Sequence, residues 1–329
     1  MTQRTVEKTV WTLALLMMAS LLWTGCSQGP SPTNPALPPG FTEAQVPAGD
    51  ISAYLYVSQD SPVTIPTERF GNVQGIAHEL AHVLQVRGLA LWTGQSVDSF
   101  AGNVKFAEES SAEIAQTLLS GVADVKSSRD GVTLKLVSGS GEWAEGMESA
   151  LKANQGSPFK DAYPAIWDLL HLMPEAPPGK PVAVGFVHVN EQLMNSLATQ
   201  ANLDLSGVGQ AFGAANVSDI AFIAYAESPL ALPNMVGPDY FKQAGLGAVF
   251  VARSSYPGFV LSFFLGSFAD RVGLEKGPTV KGQEVLVKEI EGAHLMVATL
   301  GNTFFVALAP TREKAEALMT SALAPHVKG

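Results

Sequence analysis

From residue 50 onward the chain is built of short apolar runs separated by polar, glycine-containing breaks. Runs dense in β-branched and aromatic residues read as strands. They are ISAYLYV from Ile51, LALWTG from Leu89, NVKFA from Asn103, GVTLKLV from Gly131, PVAVGFVHV from Pro181, DIAFIAYA from Asp219 and GAVFVAR from Gly247. Segments with apolar residues at helical spacing read as helices: GNVQGIAHELAHVL, SSAEIAQTLLSGV and GEWAEGMESAL, then NEQLMNSLATQANLDLSGVGQAFGAA and FVLSFFLGSFADRV. The stretch QEVLVKEIEGAHLMVATLGNTFFVAL reads as a hairpin, and a last helix follows it.

Parts of the chain repeat. Phe106 with Ser110 and Ser111 matches Phe250 with Ser254 and Ser255. Gly131-Val132-Thr133 matches Gly301-Asn302-Thr303, and Met147 to Leu151 (MESAL) matches Met319 to Leu323 (MTSAL). Each half then follows strand-helix-strand-strand-helix-strand, which resembles the split βαβ plan of ferredoxin-like domains. The expected fold is α+β, with two related ferredoxin-like subdomains and antiparallel-rich sheets carrying helices on one face. Residues 41–160 form the first repeat, 161–181 the proline-rich connection and 182–329 the second repeat; a short buried helix is expected at AIWDLLHLM, residues 165–173.

The first forty residues follow a different pattern. Arg4 and Lys8 precede the apolar run TLALLMMASLLW, and Thr24-Gly25-Cys26 follows. A basic start, a short apolar run and small residues describe a secretory signal over residues 1–25, too short for a comfortable membrane span. Cys26, the only cysteine of the chain, resembles the lipidated cysteine of bacterial lipoproteins, with Trp23 where that family usually has Leu. That resemblance implies an N-terminal lipid anchor, palmitate or a similar chain, and a place on the extracytoplasmic side of a bacterial membrane. Residues 26–40, with prolines at 30, 32, 35, 38 and 39, read as an extended spacer.

Composition narrows the classes. Hydrophobic residues make up 47% of the chain and secure a core, although charged residues are only 15%. The formal net charge of −10 argues against nucleic acid or an anionic membrane surface as partner. With Cys26 committed to the anchor, the mature domain has no disulfide and depends on packing.

The sharpest chemical motif is His78-Glu79-Leu80-Ala81-His82. Histidines four apart share a helix face and together hold one tetrahedral zinc. This segment resembles the HExxH of zinc metallopeptidases. The resemblance implies His78 and His82 as ligands, Glu79 as general base, and a carboxylate of a second helix as third ligand, here Glu109, with Glu108 or Glu113 as alternates. A helical wheel gives a plainer reading. Ile76, Ala77, Leu80, Ala81, Val83 and Leu84 fall on one arc and His78, Glu79 and His82 opposite, an amphipathic helix with a wet face. Two apparent strands intervene before Glu109, and Glu108 and Glu109 align with Ala252 and Arg253 in the other half, so the plainer reading is preferred.

Other motifs carry less. Gly207, Gly209 and Gly213 lack a preceding strand and a βαβ frame for a dinucleotide. His171, His188, His294 and His326 form no readable triad, and His188 reads as an exposed strand residue. Phe259, Phe263, Phe264 and Phe268 fit core packing better than a lipid pocket.

Three functions follow in order of preference. They are a lipid-anchored, non-catalytic binding protein for an unknown protein or ligand, a zinc peptidase, and a carrier of a small apolar ligand. No cofactor other than zinc is suggested. Elemental analysis of chelator-free protein decides the second: the wet-face reading expects no stoichiometric zinc, whereas near-stoichiometric zinc lost in His78→Ala establishes the metal site.

Overall fold

The computed structural model describes residues 30–47, 49–57, 86–94, 99–121, 124–190, 215–227, 245–258, 273–290 and 293–327, with single positions at 193, 260, 261 and 269. The HELAH segment, Cys26, the glycine run at 207–213 and Phe259, Phe263, Phe264 and Phe268 lie outside the described residues.

The first half contains β1 (Gln45–Pro47), β2 (Ala53–Val57), β3 (Val86–Thr93), β4 (Phe100–Phe106), α1 (Glu109–Leu119), β5 (Val125–Asp130), β6 (Thr133–Ser138) and α2 (Glu142–Lys152). A connection follows through β7 (Gly156–Pro158), α3 (Phe159–Ala162) and α4 (Pro164–Leu170). The second half contains β8 (Lys180–His188), β9 (Val217–Ala226), β10 (Gly247–Ser254), β11 (Glu275–Val280), β12 (Gln283–Ile290), β13 (Ala293–Leu300), β14 (Thr303–Ala309) and α5 (Arg312–Leu323).

Twelve of these strands form one sheet in the order β11-β12-β13-β14-β10-β9-β8-β2-β3-β4-β6-β5, every pair antiparallel. The first strands of the two halves, β2 and β8, meet at its centre. Walking outward from β2 gives β3, β4, then β6 and β5. Walking outward from β8 gives β9, β10, then β14, β13, β12 and β11. Each half is a three-strand meander whose third strand pairs with the strand that precedes the half's closing helix, α2 or α5.

This architecture corrects three expectations. A split βαβ unit places a later strand between its first two, but β2 pairs directly with β3, aligning Tyr54 with Trp92 on one face. That register stacks the two rings, with centroids 6.3 Å apart, and favours the meander. The two halves share one sheet. Their helices also do not lie on one face. Period-two alternation sends Ala101 and Val137 to the side covered by α2, and Val104, Phe106, Leu134 and Leu136 to the side where α1 buries Ala112 and Ala115. The hairpin expected from Gln283 is three strands, β12 to β14, and β11 pairs with the first of them.

The repeated motifs divide on the same geometry. Gly131 and Gly301 both adopt positive φ, 56° and 60°, in the tight turns that open β6 and β14. MESAL and MTSAL occupy equivalent closing helices and bury matching residues, Met147, Ala150 and Leu151 in α2 and Met319, Ala322 and Leu323 in α5. The paired serines do not correspond: Ser110 and Ser111 begin α1, whereas Ser254 ends β10.

The core on the α2–α5 side is aromatic where the halves meet. Phe41, Trp92 and Phe186 are fully buried, and Phe159 packs its ring 4.8 Å from Phe41 and 5.4 Å from Tyr54. AIWDLLHLM forms α4 as expected and buries Ile166, Leu169 and Leu170. The proline-rich stretch, expected as a spacer, is docked from Thr33 onward, with Thr33, Pro35 and Pro38 buried.

Gly185 occupies the central β8, where a Cβ would lie 2.1 Å from the Tyr54 carbonyl oxygen and 2.6 Å from the Phe222 ring. Gly185→Ala is therefore expected to destabilise the fold by about 1–3 kcal/mol. Gly146, inside α2 with open space around its missing Cβ, gives the opposite sign: Gly146→Ala should stabilise by about 0.5–1 kcal/mol. Denaturant unfolding of both variants checks the pair.

Candidate functional site

Among the described residues, His188 and Asp219 are two partly buried polar side chains of the sheet that bond to one another. His188, the last residue of β8, is in register with Asp219 of β9, so their side chains leave the same face. Backbone bonds hold the pair in place: His188 N–H donates to the Ser52 carbonyl and Val189 N–H to the Ser218 carbonyl, both at 2.7 Å. His188 Nδ1 bonds Asp219 Oδ1, and Ser218 Oγ donates to Asp219 Oδ2 at 2.6 Å. The imidazole packs edge-on to Phe186 at 4.9 Å and lies 6.1 Å from the Tyr163 ring.

The electrostatics follow from these contacts. Burial works to raise the Asp219 pKa, and the hydrogen bonds from His188 and Ser218 overcome it, holding the carboxyl below its ordinary value. Burial, helped by the Asp50 carboxylate, pushes Tyr163 up to about 12, so its hydroxyl stays protonated at neutral pH. The bond from Nδ1 to the Asp219 carboxylate fixes the ring and leaves Nε2 for a further hydrogen bond at the end of the sheet. Ser218 gives its proton to Asp219 and not to the imidazole, so the three residues do not form a Ser–His–Asp relay. The arrangement suits a fixed imidazole that makes a hydrogen bond through Nε2.

The carboxylates considered for zinc are placed differently. Glu108, Glu109 and Glu113 are all exposed at the start of α1. Glu109 Oε1 is held by Arg129 Nη1 at 2.6 Å, and Glu108 Oε2 accepts from Ser110 Oγ at 3.3 Å. Among the described residues no three His, Cys, Asp or Glu side chains are grouped to hold a metal. His78, Glu79 and His82 are outside those residues.

A cleft of about 340 Å³ opens between α2 and the β5–β6 edge, lined by Lys126, Lys135, Glu148 and Lys152 among others. Lys126 and Lys152 hold Glu148 at 2.7 and 2.6 Å and take its carboxyl down to about 2. Lys135 Nζ donates to Asn154 Oδ1 at 2.6 Å. All three lysines already have partners.

Two other histidines serve the core. His171 Nδ1 lies 2.9 Å from the Trp167 carbonyl. Nε2 of His326 is 3.0 Å from the Leu172 carbonyl, and its ring packs 5.3 Å from Phe305. Burial pushes His326 below the ordinary histidine value, against the opposing pull of the Leu172 and Ser31 backbone and of Glu175. The sequence signals none of the cross-strand pairing of His188 with Asp219, thirty-one residues apart. The Glu148–Lys152 pair is the one local signal, at i,i+4 spacing.

No family description matches this sequence, and no curated protein matches it. Among solved structures, TP0453 in crystal form III aligns with a TM-score of 0.39 at 10% identity, covering 85% of this chain and 99% of TP0453. Crystal form IV gives 0.36 at 8% identity over 85% and 98%, and crystal form I gives 0.37 at 8% over 84% and 95%. At this similarity nothing about function is transferred.

Asp219→Ala removes both hydrogen bonds and is expected to cost about 1–2 kcal/mol, discounted for partial exposure. Because the folded pKa of Asp219 is depressed, its contribution is complete above the unfolded carboxyl value of about 4 and is lost as pH falls through the folded value. Unfolding curves of the two proteins should therefore differ by a constant amount above about pH 4 and converge below it.

Proposed function

We propose that this chain is an extracytoplasmic bacterial lipoprotein, cut before Cys26, lipidated there, and acting without catalysis by binding a protein or ligand at the cell envelope. One observation carries the reading: an apolar run flanked by Arg4 and Lys8 ends in Leu22-Trp23-Thr24-Gly25-Cys26, followed by a proline-rich stretch and a domain with no other cysteine. The matched closing helices and turns support descent of the two halves from one duplicated α+β unit. His188, oriented by Asp219, is the polar contact point the sheet offers a ligand.

A second reading, a carrier of an apolar ligand, is favoured by the α1 side of the sheet. There the register lines up Leu91, Leu55, Gly185, Phe222, Phe250 and Val306 in one row across six strands. Leu55, Leu91, Phe222 and Phe250 are half-buried, with the two phenylalanine rings 5.7 Å apart.

Expression in a bacterial host and mass spectrometry of the N-terminus test the first reading. The mature chain should begin at Cys26 with fatty-acyl mass added, and Cys26→Ser should move the protein from the detergent to the aqueous phase. An unmodified N-terminus elsewhere overturns it. Lipid co-purifying with the Cys26→Ser protein in native mass spectra would favour the carrier.

A further inference from the structure

Residues 31–41 are fastened to the body by contacts that a free spacer lacks. Thr33 is buried; its N–H donates to the His171 carbonyl, and its hydroxyl lies 2.8 Å from that oxygen and 2.7 Å from the Met173 carbonyl. Asn34 N–H donates to Glu175 Oε1 at 2.9 Å, and Ala36 N–H to the Pro174 carbonyl at 3.2 Å. Tyr56 donates its hydroxyl to the Pro39 carbonyl at 3.0 Å. Phe41, fully buried, locks the inner end among Tyr56, Phe159 and Trp167. The outer end lies on the segment that joins α4 to β8, beside the end of α5, where Ser321 Oγ donates to the Ala176 carbonyl at 2.7 Å.

The length of chain beyond this strap sets a distance. From Cys26 to Thr33 there are seven Cα–Cα steps, a reach of at most about 25 Å when fully extended. A lipid on Cys26 therefore cannot carry the body far, and the tether leaves it at one place. We propose that the strap fixes how this protein stands on its membrane, with the α4–α5 surface held next to the lipid headgroups and the β5–β6 edge turned away. The reading rests on lipidation at Cys26. The near surface includes Glu175, Glu313, Glu316 and Lys281, a mainly acidic set that favours a zwitterionic headgroup layer over an anionic one. The far edge is β5, the end strand of the sheet, whose Lys126 and Arg129 are paired with Glu148 and Glu109.

Two measurements keep the strap and the lipid apart. In the soluble Cys26→Ser chain, Thr33→Ala should raise proteolytic cleavage between residues 31 and 41 by about tenfold, the loss of a buried hydroxyl's bonds. Equal cleavage in both overturns the strap whatever the state of the lipid. In the lipidated chain, the only cysteine is blocked, so Ala317→Cys and Asp130→Cys accept single fluorophores. On phosphatidylcholine vesicles carrying a headgroup quencher, the label at 317 should be quenched at least about twice as strongly as that at 130. A twenty-residue Gly-Ser insertion after Ser27 should remove the difference, since the fully extended reach rises about fourfold. Equal quenching without the insertion, on vesicles that do bind the protein, overturns the fixed stance and leaves the lipid reading intact. A chain with Cys26 that fails to bind vesicles overturns both.

Discussion

The antiparallel pairing of β2 with β8 is the contact on which the rest of the molecule depends. It joins the first strand of each half, so removing it would leave two separate sheets with open edges in place of one. Its register sets Tyr54 beside Phe186 on the α4 side and Leu55 beside Gly185 on the other. A one-residue slip would turn the aromatic row outward and place Gly185 where bulk is needed. The absence of a side chain at position 185 lets Phe222 lie over the strand, so the glycine belongs to the pairing itself.

From that centre the two faces acquire different characters. The α4–α5 face collects Phe41, Tyr54, Trp92, Phe159 and Phe186 into a closely packed aromatic layer, with the hydroxyl of Tyr54 and the indole N–H of Trp92 buried without hydrogen-bond partners among the described residues. Leaving such groups unpaired costs stability, and the area of aromatic surface buried around them offsets it. The other face keeps a half-buried apolar row. His188 and Asp219 lie at the end of the aromatic layer, where the hydrogen bonds from His188 and Ser218 keep the carboxylate ionised despite partial burial.

The strap connects this packing with the proposed place of the protein. A proline-rich segment has little entropy to lose when it is laid down in extended form. Its few backbone groups find acceptors along residues 171–175, so a sequence with the composition of a linker behaves as part of the fold. Function would then depend on which surface faces the membrane as much as on any single residue.

Local pattern alone determined the strands that begin near Ile51, Leu89, Asn103, Gly131, Pro181, Asp219 and Gly247, the short helix α4, and the closing helices with their MESAL and MTSAL faces. These are readable because alternation and helical spacing are properties of neighbouring residues. The strand order, the side chosen by α1, the strands β5 and β11, the third strand of the stretch from Gln283, the docking of Thr33 and the meeting of His188 with Asp219 were decided by the tertiary structure. Each depends on contacts between residues far apart in the chain, and period-two alternation states that a strand has two faces without stating which neighbour will cover either one.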